Sequence, residues 1–302
     1  MLVDAPVMLE LLRKECMPWI REAGAIARGR MSTALASQKA DHSPVTDADH
    51  AVQDFLMDQI ARRFPGDAVI AEETQADPAR HASIAQAERC WVIDPIDGTR
   101  NYARRVPMFA VSVGLLQHGS PVLGFVYNPM TDQLYSAAQG CGAWLNEGGT
   151  GLNETRITVA EPGELDQKNG VGGDDIGGGS SSGGVSGDIF IAVPSGREEP
   201  LPRVVHTWID RMIQRATGST ALNIVLVASG AFDAVFGARC KLWDIAAGTI
   251  ILTEAGGMLT DHHGQSYFPL DLASYQKDEP TPFLAAHPRL LKRLAEELAA
   301  SH

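Results

Sequence analysis

The chain has 302 residues, of which 44% are hydrophobic and 21% are charged, a composition typical of folded globular proteins rather than disordered ones. Its 37 acidic and 25 basic side chains give a formal net charge of −12, which disfavours non-specific binding to nucleic acid or anionic membranes, because both need a basic surface. The chain has no run of 18 apolar residues and its N-terminal stretch is too charged for a signal peptide, so we expect no membrane span and a cytoplasmic location.

The first hundred residues predict helices followed by short strands. Apolar residues recur at helical spacing over residues 7–31, which predicts one helix or two, interrupted near Pro18. Residues 49–63 predict a second amphipathic helix that ends at Pro65 and Gly66. Two compact apolar runs that stop at carboxylates predict strands, at residues 68–71 and 91–93.

An antiparallel meander is expected over residues 109–146, where short β-prone runs alternate with turn residues. With the preceding elements it makes up an N-terminal α+β subdomain, residues 1–160. Thirteen of the nineteen residues at 169–187 are Gly or Ser. That composition cannot bury enough apolar surface to offset the entropy of ordering, so it predicts a flexible insertion.

Residues 188–302 predict a C-terminal α/β subdomain. The expected elements, in chain order, are a strand at 189–193, a helix near 204–214, a helix at 221–228 capped by Gly230, a strand at 232–236, a helix from Asp244 to Gly256 and a helix at 288–300. A meander followed by alternating strands and helices is typical of a layered α/β fold, here an α/β/α/β/α sandwich with the active site between the two halves. The four cysteines, at positions 16, 90, 141 and 240, form no metal-ligand or redox pattern, so we expect scattered free thiols.

Three acidic clusters stand out, each at the junction of an apolar strand with a turn or helix: AEE at 71–73, DPIDGT at 94–99 and WDIAAG at 243–248. Magnesium prefers oxygen ligands in near-octahedral geometry, and carboxylates at the ends of neighbouring strands can supply them. One such cluster alone would be typical of solvated loop acids. Three clusters in this position favour one shared metal site.

The DPIDG segment suits such a site. Its proline turn can aim Asp94, Asp97 and the Ile96 carbonyl at one point, and Gly98 lets a ligand approach the backbone. The N–H groups of Gly98 and Thr99 are then expected to face an anion. Asp244 lies at the start of a predicted helix, where a helix N-cap is an alternative role that is compatible with metal binding.

These motifs resemble the inositol monophosphatase family of Mg²⁺-dependent, lithium-sensitive phosphatases. The first family signature corresponds to WVIDPIDGTRNY at 91–102, and the second corresponds to WDIAAG followed by EAGG, within 243–257. The sequences PVTDAD at 44–49, AEE at 71–73 and GAWLN at 142–146 also match. The resemblance covers nearly the whole chain apart from the Gly/Ser segment, and it implies the layered αβαβα sandwich that inositol monophosphatases share with fructose-1,6-bisphosphatases.

The resemblance also implies a role for each matching position. Two to three Mg²⁺ ions are expected: the first held by Glu72, Asp94 and the Ile96 carbonyl, the second by Asp94, Asp97 and Asp244, and a third, loosely bound, shared by Glu72. Asp49, selected over Asp47 by the alignment of PVTDAD, would orient and deprotonate the attacking water together with Thr99, so that the catalytic set is Asp49, Thr99 and Glu72. Substrate contacts are expected from Asp97, Gly98, Thr99 and Asp244.

Substrate identity is less defined by the sequence. Animal inositol monophosphatases have a glutamate that contacts inositol hydroxyls where this chain has Gly237, and Lys241 and Leu242 depart from the pattern of nucleotide phosphatases of the superfamily. We expect a phosphomonoesterase acting on a small phosphorylated polyol, with inositol monophosphate first and histidinol phosphate as an alternative. A non-catalytic regulatory or binding member of the fold is the other alternative. A homodimer without nucleic-acid or membrane partners is expected.

Overall fold

The computed structural model describes residues 5–33, 36–38, 44–75, 77–148, 153–162, 188–194, 201–277 and 279–301. The Gly/Ser insertion predicted at 169–187 lies outside these residues, and the division into residues 1–160 and 188–302 stays a prediction. Within the described residues, the helices are α1 (Ala5–Arg30), α2 (Asp47–Arg63), α3 (Pro78–Ala85), α4 (Thr99–Ala103), α5 (Arg203–Arg211), α6 (Thr220–Ala228), α7 (Leu242–Glu254) and α8 (Pro288–Ala299).

In the part of the chain that the structure describes, the strands form three sheets. A two-stranded sheet pairs β1 (Ala36–Gln38) with β2 (Pro44–Thr46). A seven-stranded sheet contains, in spatial and chain order, β3 (Ala68–Ala71), β4 (Arg89–Asp97), β5 (Ala110–Gln117), β6 (Ser120–Asn128), β7 (Gln133–Ala138), β8 (Ala143–Glu147) and β9 (Glu154–Ile157). A five-stranded sheet has the order β11 (Ile213–Arg215), β10 (Phe190–Ala192), β12 (Ala234–Gly237), β14 (Phe283–Ala286) and β13 (Met258–Thr260).

The elements stack in five layers. Helices α1 and α2 cover one face of the seven-stranded sheet, and α6 and α7 lie between its other face and the five-stranded sheet. Helices α5 and α8 cover the outer face of the five-stranded sheet. Successive residues of a strand therefore belong to different apolar clusters, as in β6, where Phe125 faces α1 and α2 and Val126 faces α6 and α7. The predicted layered αβαβα fold is confirmed.

Several predicted elements match closely, and the antiparallel meander is confirmed as β5 to β8. The first helix is not interrupted: α1 continues through Pro18. Proline removes one helical N–H donor, which leaves the carbonyl of Lys14 without its usual partner. Both residues are on the exposed side of α1, where water can replace the missing bond.

Several boundaries in the C-terminal half differ from the prediction, among them both ends of α7, which covers Leu242–Glu254. The helix expected near 204–214 ends at Arg211, because Ile213–Arg215 pairs in parallel with β10 as an added strand. The strand expected at 232–236 begins later, at Ala234, and the Asp233 side chain just before it accepts a hydrogen bond from the Phe190 N–H, at 2.7 Å. The four cysteines are free thiols. Within the described residues no helix is both long enough and apolar enough to cross a membrane.

Candidate active site

An irregularity in β4 brings two of the predicted carboxylates to the same side of the sheet. Residues three apart in a regular strand point to opposite faces. In β4 the pairing with β5 shifts between Asp94, which lies opposite Ser112, and Asp97, which lies opposite Ala110. Two residues of β4 therefore oppose one residue of β5, which is a β-bulge. The Ile96 N–H donates to Asp94 Oδ1 at 3.0 Å and fixes the turn inside the bulge.

Asp49 and Asp244 are positioned by the same hydrogen-bond arrangement at the start of their helices. Each is the third residue of its helix, and each carboxylate accepts a hydrogen bond from the backbone N–H of the residue that precedes the helix. The bond from Thr46 to Asp49 is 2.8 Å and the bond from Lys241 to Asp244 is 2.7 Å. Asp244 is therefore not the N-cap of α7, as its sequence position suggested; that place belongs to Lys241. A carboxylate at this position also interacts favourably with the positive end of the helix dipole.

Glu72 follows β3 and is joined to β4 by a backbone hydrogen bond from its N–H to the Ile93 carbonyl, at 3.1 Å. Its side chain is hydrogen-bonded to Asp94 and contributes to the raised pKa of that carboxyl. The ammonium group of Lys277 donates to the Glu72 carbonyl, at 2.6 Å, and to the Thr74 carbonyl. Lys277 also lies over the Trp243 ring, 5.6 Å from its centroid. A residue distant in sequence thus ties the Glu72 turn to the start of α7.

Asp97 is bound to the N-terminus of α6. The Ser219 hydroxyl donates to Asp97 Oδ2, and so does the Ala221 N–H, at 2.6 Å, while the Thr220 N–H donates to Oδ1 at 3.3 Å. These donors belong to the C-terminal half of the chain, whereas Asp97 belongs to the seven-stranded sheet. One carboxylate therefore connects the two halves, and its orientation depends on where α6 begins.

Carboxylate oxygens of Asp94, Asp97 and Asp244 lie within 4.8 Å of one another. Burial, reinforced by the negative charge of Glu72, raises the pKa of Asp94 well above its ordinary value. Burial also raises the pKa of Asp97 to about 6, although the Ser219 hydroxyl and the α6 amides oppose the rise. The pKa of Asp244 is well above its ordinary value, because the group is buried and faces Asp97.

Asp49 and Thr99 meet beside this cluster. Thr99 Oγ1 lies 3.0 Å from the Ile96 carbonyl oxygen and 3.4 Å from Asp49 Oδ1. The other oxygen of Asp49 also accepts from the Thr46 hydroxyl, at 2.6 Å. Gly98 has a φ of +95°, and a Cβ there would come within 3.1 Å of the Met108 carbonyl, so the turn needs glycine. Asp47, the acid not selected from PVTDAD, is exposed and pairs with Arg30.

All the predicted site residues lie in this region: Asp49, Glu72, Asp94, Ile96, Asp97, Gly98, Thr99 and Asp244. The sequence reasoning missed the residues that hold them in place. Asn101 Nδ2 donates to the Met108 and Thr217 carbonyls, both at 2.6 Å, and joins α4 to the segment before α6. Ser219 also caps α6 by accepting from the Leu222 N–H at 3.2 Å. A serine directly before an apolar helical run is an N-cap signal and could have been found, whereas Lys277 carries no such signal.

The comparisons with known proteins agree with this geometry. Residues 8–302 match the sequence model of the inositol monophosphatase family. Inositol monophosphatase 1 of Mus musculus is 30% identical over 300 residues, which cover 94% of each chain. Nus factor SuhB of Pasteurella multocida is 28% identical over 286 residues, which cover 92% of each chain. The solved structure of the inositol monophosphatase from Anabaena (Nostoc) sp. PCC 7120 is similar with a TM-score of 0.70 at 26% identity, covering 98% of each chain. The chain therefore belongs to the inositol monophosphatase family.

Proposed function

We propose that this protein is a Mg²⁺-dependent phosphomonoesterase that hydrolyses a small phosphorylated polyol, with inositol monophosphate as the first candidate substrate. The observation that carries the proposal is the cluster of buried Asp94 and Asp97 with partly buried Asp244, whose oxygens lie within 4.8 Å of one another. Three carboxylates this close repel one another unless they are protonated or neutralised by cations. In an enzyme that acts near neutral pH, bound metal ions would be the cations that neutralise these carboxylates.

The donor set fits magnesium, because every group in it is an oxygen. Glu72, Asp94 and the Ile96 carbonyl would hold one ion. Asp94, Asp97 and Asp244 would hold a second, and Glu72 would share a third, weakly held ion. Bound Mg²⁺ lowers the pKa of a coordinated water and offsets the charge of the phosphate, so that an anionic monoester can be attacked by hydroxide.

The chain itself would orient the water and move its proton. Asp49 is suited to be the proton acceptor, since one of its oxygens is fixed by the Thr46 hydroxyl and the other faces Thr99. The Thr99 hydroxyl has one hydrogen to share between Asp49 and the Ile96 carbonyl. A water that accepts from Thr99 would displace one of those contacts and would then lie within reach of Asp49.

Phosphate contacts would come from the turn after β4. The backbone N–H groups of Gly98 and Thr99 are the proposed donors, and the left-handed φ of Gly98 shapes that turn. Asp97 and Asp244 would contact the substrate from the metal side. No nucleophilic serine or cysteine is required, because in-line attack by water depends mainly on positioning and electrostatic stabilisation.

The choice between substrates concerns Gly237, the last residue of β12. Gly237 carries no side chain to accept a hydrogen bond from a polyol hydroxyl, which keeps histidinol phosphate as an alternative substrate. A regulatory or binding role is the second candidate function, and the similarity to a protein named Nus factor SuhB favours it. The full set of acidic ligands favours catalysis, since binding alone does not require mutually repelling carboxylates. The homodimer, the absence of a nucleic-acid partner and the cytoplasmic location stay predictions.

A turnover screen tests the proposal. Phosphate release is measured with inositol 1-phosphate, histidinol phosphate, fructose 1,6-bisphosphate and 3′-phosphoadenosine 5′-phosphate, with Mg²⁺ and with EDTA. We expect Mg²⁺-dependent release that is greatest with inositol 1-phosphate and is abolished in Asp94→Asn. Faster phosphate release from histidinol phosphate would support the phosphomonoesterase activity but replace inositol monophosphate as the proposed substrate. No Mg²⁺-dependent release from any of the four would overturn the enzymatic function in favour of the binding role.

A further inference from the structure

A cavity of about 570 Å³ lies at the edge of the seven-stranded sheet, apart from the carboxylate cluster, between β3, α3 and residues 275–277. This volume is in the range of sites that bind small molecules. Its wall is mainly apolar and includes Val69, Ile70, Ala71, Pro78 and Ile84. A wall of this kind favours a ligand with an apolar body, because the ligand and the wall are then both removed from water.

A cation also lines the cavity. Arg80 of α3 is one of the lining residues, and its Nη1 atom is buried without a hydrogen-bond partner among the residues that the structure describes. A buried cationic N–H without an acceptor is costly, and an anionic acceptor would remove that cost. Asp77 also lines the cavity, but its side chain accepts from the Ala79 N–H, at 3.1 Å, as the N-cap of α3.

From the apolar wall and the unsatisfied guanidinium we infer that this cavity binds a small amphipathic anion. Its apolar body would pack against Ile70 and Ile84, and its carboxylate, or a similar group, would accept from Arg80. Lys277 lines the same cavity and adds a positive charge there, whereas the carboxylate of Asp77 is engaged by the Ala79 N–H. The inference does not depend on the proposed phosphatase activity.

The cavity also shares a wall with the turn that carries Glu72. Ala71 and Thr74, on either side of that turn, line the cavity, and so does Lys277, whose ammonium donates to the Glu72 carbonyl. An occupant would therefore contact residues next to Glu72 without entering the carboxylate cluster. Binding in this cavity can therefore be detected from the NMR shifts of the backbone amides of these residues.

The test uses 4-phenylbutyrate as the probe and 4-phenylbutanol as its uncharged analogue. Deuterated, ¹⁵N-labelled protein is titrated with each, and backbone amide shifts give the dissociation constants. We expect saturable binding of 4-phenylbutyrate with the largest shifts at Ala71, Thr74, Ile84 and Lys277. Arg80→Met keeps the aliphatic stem and should weaken the acid about tenfold or more, since hydrogen bonds to charged groups are the stronger ones.

Two controls separate the ion pair from general effects. Arg80→Met should change the affinity for 4-phenylbutanol less than twofold. Arg289→Met, at an exposed arginine of α8, should leave both affinities unchanged. The inference is overturned if the acid does not saturate, if the shifts lie elsewhere, or if Arg80→Met weakens the alcohol as much as the acid.

Discussion

Asp94→Asn should have opposite effects on the metal-free and the Mg²⁺-bound protein. The asparagine keeps an oxygen that can accept the Ile96 N–H, 3.0 Å from Asp94 Oδ1, but it removes one charge from a buried group of like charges. The free-energy cost of ionising a carboxyl in this cluster is indicated by Asp97, whose pKa is raised from 3.8 to about 6, mainly by burial. This corresponds to about 3 kcal/mol of destabilisation at pH 8, at about 1.4 kcal/mol per tenfold change in proton affinity.

In EDTA at pH 8, we therefore expect Asp94→Asn to unfold at a higher temperature than the wild type. A gain of about 3 kcal/mol in the free energy of unfolding would raise the Tm by about 5 °C or more in a chain of this size. With Mg²⁺ the order should reverse. The wild type gains about 4.1 kcal/mol from one ion at a metal concentration of about 1,000 times the Kd, which exceeds its deficit of about 3 kcal/mol in EDTA, and the variant loses a ligand proposed to serve both main ions.

The assay is thermal unfolding over a Mg²⁺ titration at pH 8, with phosphatase activity measured in the same samples. Asp233→Asn is the matched control. Asp233 is a carboxyl whose pKa is also raised by burial, but it accepts from the Phe190 N–H, far from the cluster in the fold. The control should show the wild-type response to Mg²⁺. If Asp94→Asn also keeps that response, Asp94 is not a metal ligand and the proposed site is wrong.

Four further results are expected. In EDTA, a carboxyl whose pKa is raised in the folded state stabilises the fold at low pH and loses that contribution as pH rises through the folded pKa. The wild-type free energy of unfolding should therefore fall between about pH 4 and 7, and Mg²⁺ should remove most of that fall. Asp49→Asn should lower kcat about 10²–10⁴-fold with little change in the Mg²⁺ concentration for half-maximal activity, because it removes a proton acceptor rather than a ligand; a large rise in that concentration would contradict the role. Ser219→Ala should lower both kcat and stability, the latter by about 1 kcal/mol as a lost N-cap, whereas Ser229→Ala at the other end of α6 should leave kcat unchanged. Lys277→Met should raise the Mg²⁺ requirement several-fold because the Glu72 turn loses its donor, and Lys292→Met, at an exposed lysine, should not.

The sequence predicted the layers and the acidic cluster because both depend on local patterns. Alternating β-prone runs and turn residues identify a meander without knowledge of its partners. The β-bulge at Asp94 and Asp97 was not predictable in this way, since it is defined by the register with β5. Without the bulge, two acids three apart would point to opposite faces. The DPIDG motif indicated that they converge, and the strand pairing supplies the physical reason.

The errors in the predicted elements have tertiary causes. A proline predicts a break in a helix, but α1 continues through Pro18 because that side of the helix is exposed to water. Residues Ile213–Arg215 continue an amphipathic helical pattern, yet they extend the five-stranded sheet next to β10. In both places the tertiary context overrides the local sequence preference. That context is exposure to water at Pro18 and strand pairing with β10 at Ile213–Arg215, and the sequence alone specifies neither.

The residues that hold the carboxylates were the hardest to find, because they act from the other half of the chain. Asp97 lies 122 residues before Ser219, and its orientation depends on a hydroxyl and two amides at the start of α6. Those donors lower the pKa of Asp97, whereas burial raises it. These hydrogen bonds favour the ionised form of Asp97 and partly offset burial, whereas the pKa of Asp94 is raised by burial and by the neighbouring acids. Because the same donors fix the orientation of Asp97, any shift of α6 would change both the pKa and the position of this proposed metal ligand.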